Sequence, residues 1–269
     1  MRLRTVVPHA AATALFGVAL ATLSPVTGEA HKAITSKFTY NDDLFPLFRD
    51  KCGACHVDGG VAPMSLLSHE DASPWGESLR LELLGEEAPK PWHVGAYTLT
   101  AREFDMILVW ANGGTPRGDA AKAPPVMTVK TAWVAGPPDA ALKMPAPFTL
   151  PGPSNEATHD VVLPVGAAAG KSLRAVDLLP GQPAIVRMAT LSLKGADGVV
   201  QPLGTWIPGQ AHAIALKTPI VVPASASIVA TIEYRRTWKY EGQDLADAST
   251  IGLYFGSAAA PRTTRPGAR

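Results

Sequence analysis

The side chains best suited to chemistry lie in the run Cys52-Gly-Ala-Cys55-His56, which contains both cysteines of the chain. A C-x-x-C-H run is the pattern of covalent c-type haem attachment. Two thiols one helical turn apart can bond the two vinyl groups of one porphyrin, and the adjacent imidazole then reaches the iron from the proximal face. We therefore predict one covalent haem c, anchored by Cys52 and Cys55, with His56 as the proximal iron ligand.

A dithiol redox pair and a zinc site are the two alternatives for cysteines with this spacing. A dithiol pair is typical of a strand-to-helix βαβ setting, and no such pattern surrounds the run. A structural zinc site needs further cysteine or histidine ligands, and the chain has only two cysteines. Covalent haem attachment is therefore the interpretation that the spacing favours.

The motif does not specify the distal ligand on the other side of the iron. His93, Met64 and Met106 are the candidates, and an open or water-bound site is the alternative. The choice matters because a thioether ligand raises the reduction potential relative to two imidazoles, whereas an open site admits small ligands. We also predict that the Pro63 carbonyl accepts a hydrogen bond from Nδ1 of His56 and so fixes its tautomer.

The sequence around the motif predicts short helices. Asn41 is positioned to cap a first helix, and Ser73 before a proline suggests the start of a second. Thr100 and Glu103 have the spacing of a capping box at the start of a third helix. Apolar residues recur with helical spacing after these starts. These signals predict a small all-α haem domain over residues 37–117.

A different pattern begins in the second half of the chain. Residues 118–131 are rich in Pro, Ala and Gly and are predicted to be a linker. Short strand-like runs then alternate with Gly and Pro turns, at residues 160–165, 172–179, 185–193, 228–234 and 251–255. Such spacing is typical of an antiparallel sandwich or jelly roll. The predicted fold class is therefore multidomain: a small all-α cytochrome c domain followed by an all-β sandwich over residues 132–257.

Both ends of the chain are predicted to lie outside these domains. Residues 1–30 combine two arginines, a short apolar run and small residues, which is typical of a cleaved secretory signal. Residues 258–269 resemble a disordered tail. No later segment is apolar enough to span a bilayer, so we expect an exported, periplasmic location. The net charge of +1 argues against nucleic acid as a partner, because phosphate binding needs a basic surplus.

Several motifs support a resemblance to a known family. They are the haem run followed by Gly59-Gly-Val-Ala-Pro63, Trp110-Ala-Asn-Gly-Gly114, Trp206-Ile-Pro-Gly209 and Ile232-Glu-Tyr234. The chain resembles bacterial secreted cytochrome c domain proteins. Their second domain is similar to the C-terminal half of copper type II, ascorbate-dependent monooxygenases, which have the peptidylglycine hydroxylase fold.

Two departures from that family shape the prediction. Relatives carry a methionine before the last helix, and the resemblance implies that it is the distal iron ligand. This chain has Ala88-Pro-Lys-Pro-Trp92 there and lacks that methionine, which makes His93 a serious candidate for the distal ligand. Where copper-bearing relatives have histidines, this chain has Arg187, Met188 and Glu233. Copper needs several converging imidazole or thioether ligands, so a copper centre is not expected.

The predicted function is single-electron transfer by an exported monohaem c-type cytochrome. The β-sandwich would dock a redox partner protein in the cell envelope. One alternative is a monooxygenase-like enzyme that receives electrons from the haem, and another is an envelope binding or sensor module. Metal analysis separates the enzyme from the carrier, and ready binding of carbon monoxide would favour the sensor.

Overall fold

Ten β-strands provide most of the regular structure in the computed structural model, which describes residues 33–85 and 98–256. In this part of the chain, three α-helices are longer than one turn, and the longest has 12 residues. The helical elements are a π-helical turn at Tyr40–Leu44 that continues into α1 (Phe45–Lys51), the one-turn α2 (His69–Ala72), α3 (Gly76–Leu84) and α4 (Ala101–Asn112). Short 3-10 turns lie at Ser73–Trp75, Ala120–Lys122, Gly166–Ala168 and Trp238–Tyr240.

The strands form antiparallel sheets. They are β1 (Ala140–Lys143), β2 (Phe148–Leu150), β3 (Glu156–Pro164), β4 (Ser172–Leu179), β5 (Val186–Lys194), β6 (Val200–Trp206), β7 (Ile214–Val221), β8 (Ser227–Arg235), β9 (Leu245–Asp247) and β10 (Thr250–Phe255). One four-stranded sheet has the order β1-β10-β4-β7, the other has β3-β8-β5-β6, and β2 pairs with β9. The five strand-like runs expected from the sequence overlap β3, β4, β5, β8 and β10, so strands at those places are confirmed, with bounds that differ by up to four residues.

Alternation of side chains explains why these segments form a sandwich-like pair of sheets. In β8, Ile228, Ala230, Ile232 and Tyr234 are buried while the residues between them are not. A strand with this period buries one face only. The buried faces of both four-stranded sheets contribute to one apolar core, which is what holds the sheets together.

A second apolar cluster lies among the helices. Its largest members are Tyr40, Phe48 and Trp110, all fully buried. The Tyr40 hydroxyl donates to the Leu66 carbonyl at 2.9 Å, and the Trp110 indole donates to the Pro116 carbonyl at 3.1 Å. Tyr40 and Trp110 therefore contribute apolar area without leaving their polar atoms unpaired.

The helix starts agree with the sequence only in part. The capping box of Thr100 and Glu103 is present at α4, so that prediction is confirmed. The prediction that Asn41 caps a helix is wrong: Asn41 lies inside the π-helical turn, and its amide donates to the Asp119 carbonyl at 2.7 Å. The predicted start at Ser73 is also wrong, because Ser68 caps α2 and Ser73 lies in a 3-10 turn.

The predicted multidomain fold, with a small all-α domain followed by a sandwich, is wrong. The described residues from Ile34 onward form one compact unit, in which three short helices accompany a much larger β-sheet region. Met127 and Val129, in the stretch expected to be a linker, pack against the helical cluster. The backbone amide of Val129 donates to the Asp58 carbonyl at 2.9 Å, and Lys239 lies 3.6 Å from the Asp58 carboxylate.

Three sequence predictions lie outside the described residues: the signal segment 1–30, the tail 258–269 and the candidate distal ligand His93. Within residues 33–85 and 98–256, no helix has both the length and the apolar character needed to cross a bilayer.

Candidate functional site

The Cys52–His56 turn begins where α1 ends. The Cys52 amide donates to the Phe48 carbonyl at 2.9 Å, which closes the helix. The amides of Cys55 and His56 then donate to the Cys52 carbonyl at 3.1 and 2.9 Å. These bonds wind the chain through one further turn, so the two cysteines and the histidine are held together by local backbone structure.

Both cysteines are free thiols and half-buried. Burial raises the pKa of Cys52 to about 12 and also raises the pKa of Cys55, although the positive charge of Arg187 opposes the second shift. A dithiol oxidoreductase needs a thiol with a lowered pKa, because the thiolate is the attacking species. The environment of these thiols is therefore unlike that of a dithiol redox centre.

The imidazole of His56 is oriented by the backbone that follows it. Its Nδ1 lies 3.2 Å from the carbonyl oxygen of Met64. The acceptor is thus Met64, and the prediction that Pro63 fills this role is wrong. A proton on Nδ1 that is donated to this carbonyl places the ring's electron pair on Nε2, which is the nitrogen that would face an iron.

The candidate distal ligands have different surroundings. The carbonyl oxygen of Met64 lies near Nδ1 of His56, so Met64 is on the same side as the imidazole that would be the proximal ligand. Met106 is a half-buried residue of α4 that packs against the helical cluster, as Cys52 does. Met106 also lines a cavity of about 270 Å³ with Lys51 and Glu103. The structure therefore brings Met106 to the same apolar cluster as Cys52 from a separate helix.

The β-sheet region touches the attachment turn directly. Gly209, between β6 and β7, has a φ of +68°, and a Cβ added there would lie 2.5 Å from the Cβ of Ala54. Ala54 is one of the two residues between the cysteines. The close approach of these two backbones means that the sheet region helps to position the turn that carries both thiols.

A cleft of about 860 Å³ lies next to this contact. It is lined by residues of the attachment turn such as Gly53 and Ala54, and by Trp133 and Trp206 of the sheet region. Cys52, Cys55 and His56 are not among its lining residues. The cleft therefore borders the backbone of the attachment turn and not its thiols or imidazole.

The carboxylate at the wall of the cleft has a structural role. Asp177 is buried and accepts hydrogen bonds from the Leu178 amide at 2.8 Å and from Nε2 of Gln210 at 3.2 Å. Burial raises the pKa of Asp177, and the hydrogen bonds that it accepts oppose this shift. The hydrogen bonds to this carboxylate come from the chain itself, and the one from Gln210 connects β4 to the loop between β6 and β7.

Arg187 is a residue near the thiols that sequence reasoning missed. In the sequence, Arg187 stands out only as the residue found where copper-bearing relatives have a histidine. In the structure, its guanidinium lies close enough to Cys55 to affect the ionisation of that thiol, and its Nε is buried without a hydrogen-bond partner. The two residues are far apart in the chain, so no local sequence signal could have linked them.

The residues present fit a covalently bound haem. Two thiols and an oriented imidazole lie on one turn, and apolar side chains with partial exposure surround the helical cluster nearby, among them Leu79, Leu83 and Met106. No cluster of three or more His, Cys, Asp or Glu side chains suited to a metal ion occurs in residues 33–85 and 98–256. That finding does not bear on haem, whose iron is held mainly by the porphyrin and needs only axial protein ligands.

No protein-family model matches the chain, and no curated protein matches it. The resemblance to secreted cytochromes fused to a monooxygenase-like domain therefore remains an interpretation of the motifs.

Proposed function

We propose that this chain carries one covalent haem c and transfers single electrons outside the cytoplasm. The observation that carries the proposal is the single turn on which Cys52, Cys55 and His56 lie, with Nδ1 of His56 directed at the Met64 carbonyl. This is the arrangement that attachment of one porphyrin and proximal ligation of its iron require.

Each residue of the turn has a distinct role in the proposal. The thiols of Cys52 and Cys55 would hold the haem by adding across its two vinyl groups, with sulfur on one carbon and hydrogen on the other, so that no oxidant is needed. Nε2 of His56 would hold its iron. The haem, when bound, supplies a ferric–ferrous couple that exchanges one electron at a time.

The remaining residues orient the site and face the partner. The Met64 carbonyl holds the His56 ring in one tautomer, and Gly209 holds the attachment turn against the sheet region. A one-electron donor protein of the cell envelope would supply the electron and a second protein would accept it. The sandwich-like sheets would provide the docking surface for these proteins.

The first experiment tests the covalent bond. The full chain is expressed in cells that mature c-type cytochromes, and the reduced, denatured protein is examined by absorption spectroscopy in pyridine. We expect a c-type spectrum and a pigment that stays with the protein in acid acetone. The Cys52→Ala/Cys55→Ala variant should lose the pigment, whereas Ser65→Ala, a nearby change that spares the ligands, should keep it. Colourless wild-type protein would contradict the proposal.

The second experiment tests electron transfer. Metal analysis should give about one iron per chain without copper, since one C-x-x-C-H run attaches one haem. Equilibrium redox titration should then show a reversible one-electron transition. An iron that cannot be reduced would contradict the carrier function, and stoichiometric copper would favour the monooxygenase-like alternative instead.

A further inference from the structure

The chain that follows His56 is tied back to the attachment turn by two backbone hydrogen bonds. The Ala62 amide donates to the Cys55 carbonyl at 3.2 Å, and the Leu66 amide donates to the His56 carbonyl at 2.9 Å. Between these two bonds lies Met64, whose carbonyl oxygen is 3.2 Å from Nδ1 of His56. The place of that carbonyl, and with it the orientation of the imidazole, therefore depends on how firmly this segment is held.

Tyr40 holds the same segment from a distant part of the chain. The Tyr40 hydroxyl donates to the Leu66 carbonyl at 2.9 Å, although the two residues are 26 positions apart. Both polar groups of the Leu66 backbone are thus used, the amide toward His56 and the carbonyl toward Tyr40. Because a buried carbonyl that loses its donor is costly, such a bond fixes the peptide that carries it. A path of two hydrogen bonds therefore leads from Tyr40 to the backbone of His56.

The ring of Tyr40 is itself fixed by the helical cluster. It is fully buried, and its centroid lies 6.2 Å from those of Phe48 in α1 and of Trp110 in α4. The ring of His69 lies edge-on to it at 5.6 Å, and Nε2 of His69 is 2.8 Å from the Thr115 carbonyl oxygen. Rings packed in this way keep the Tyr40 hydroxyl in one place. The helices therefore decide where the Leu66 carbonyl is held.

We propose that Tyr40 is a positioning residue for the imidazole that would bind the haem iron. Its hydrogen bond to Leu66 keeps the Met64 carbonyl within reach of Nδ1 of His56. This role rests on the proposed function, because it reaches the haem iron only through His56. An imidazole that donates its Nδ1 proton to a carbonyl is a stronger electron donor, which favours ferric over ferrous iron. Tyr40 would therefore lower the reduction potential of the haem.

The test is an equilibrium redox titration of the haem-loaded full chain with Tyr40→Phe, which keeps the ring and removes the hydroxyl. We expect a higher midpoint potential, equivalent to about a threefold fall in the ferric-to-ferrous ratio at a fixed solution potential, because the hydrogen bond of His56 weakens. The electron paramagnetic resonance g values of the ferric protein, which depend on the axial ligands, should change as well. The Leu66 amide should exchange with deuterium faster than in the wild type.

Tyr254→Phe is the matched control. The Tyr254 hydroxyl also donates to a backbone carbonyl at 2.9 Å, that of Gly136, but Tyr254 lies in β10. The same kind of hydrogen bond is lost in both variants, so an effect of lost stability alone would appear in both. We expect Tyr254→Phe to keep the potential, the g values and the Leu66 exchange rate of the wild type.

The outcomes distinguish the role of Tyr40 from the proposed function. Wild-type protein without covalent haem would overturn both. Haem-loaded Tyr40→Phe with the potential and g values of the wild type would overturn the positioning role alone. A shifted potential with unchanged exchange at Leu66 would show that Tyr40 does not act through this segment. A shift of equal size in Tyr254→Phe would also contradict the role. If Tyr40→Phe retained no haem, unchanged exchange of the Leu66 amide in the haem-free full chain would still overturn it.

Discussion

Asp247, at the end of β9, is a carboxylate whose burial depends on the hydrogen bonds that it accepts. The Tyr234 hydroxyl donates to it at 2.9 Å, the Ser249 hydroxyl at 2.7 Å and the backbone N–H of Gln182 at 2.8 Å. All side-chain atoms of Asp247 lie away from solvent. Since a buried carboxylate is tolerated only when hydrogen-bonded, this network connects β8, β9 and the turn before β5.

Replacing Tyr234 with phenylalanine should show the strength of that network. Tyr234→Phe removes a hydrogen bond to a buried charged group, so we expect the free energy of unfolding to fall by about 1.5–3 kcal/mol. Tyr254→Phe is the matched control, because its hydroxyl donates at 2.9 Å to the neutral Gly136 carbonyl and should cost only about 1 kcal/mol. Urea unfolding measures both. An equal loss in the two variants would contradict a special contribution of the hydrogen bond from Tyr234 to Asp247.

Two buried tyrosines make stability depend on alkaline pH. Burial is the main reason that the pKa of Tyr40 and the pKa of Tyr234 are raised above the ordinary value of 10.0, and nearby carboxylates add to both shifts. Above that pH the unfolded chain releases both phenolic protons, whereas the folded chain keeps them. Proton release therefore stabilises the unfolded state relative to the folded state. The free energy of unfolding should fall as pH rises above 10, by about 1.4 kcal/mol per pH unit for each tyrosine.

Urea unfolding on both sides of pH 10 checks this dependence. Tyr40→Phe should lose stability at neutral pH, because its hydroxyl donates to Leu66, yet it should show a shallower decline in alkali than the wild type. A slope identical to that of the wild type would show that Tyr40 does not keep its proton in the folded state.

At the scale of elements, the loop between β6 and β7 depends on a glycine. Gly209→Ala should destabilise the protein for two reasons: alanine disfavours a φ of +68°, and its Cβ would lie 2.5 Å from that of Ala54. We expect a loss of about 2–4 kcal/mol, the sum of backbone and overpacking effects. Gly136→Ala is the matched control, because Gly136 has a φ of +79° but no atom within 4 Å of its Cβ position.

Gly136→Ala should lower the free energy of unfolding by about 1 kcal/mol, which is the backbone effect alone. Thermal or urea unfolding compares the two variants. Adding Ala54→Gly should restore part of the stability that Gly209→Ala loses. Similar losses in Gly209→Ala and Gly136→Ala would contradict a tight contact between the loop and the attachment turn.

The elements that sequence could predict are those encoded by neighbouring residues. The alternation in β8 and the Thr100–Glu103 capping box are local patterns, and both appear as expected. Asn41 is of a residue type that caps helices, but its side-chain amide donates a hydrogen bond to the carbonyl of Asp119, which is distant in the chain. The same limit applies to the site: the attachment turn is local, whereas Arg187 lies at an irregularity in the pairing of β5 with β8 and affects the pKa of Cys55, which is far away in the chain.

At the scale of the whole molecule, helices and sheets are coupled through the turn that carries the thiols. Gly209 lies against Ala54, Lys239 pairs with Asp58 at 3.6 Å, and the rings of Trp75 and Trp238 lie 6.2 Å apart. The exposed ion pair contributes little by itself. The backbone contact and the packed side chains are what make the described residues from Ile34 onward one compact unit.

A core deletion in the sheets should therefore weaken the helices as well. Leu191 in β5 is fully buried, and Leu191→Ala should cost about 2–5 kcal/mol through lost burial and the resulting cavity. We expect the compact unit to unfold as a whole, so hydrogen exchange followed across a urea series should show the same lowered midpoint for amides of α4 and of β8. If the midpoint for α4 stayed at the wild-type value while that for β8 fell, the helical cluster would be stable on its own. The sheet region could then not be what holds the Cys52–His56 turn in place.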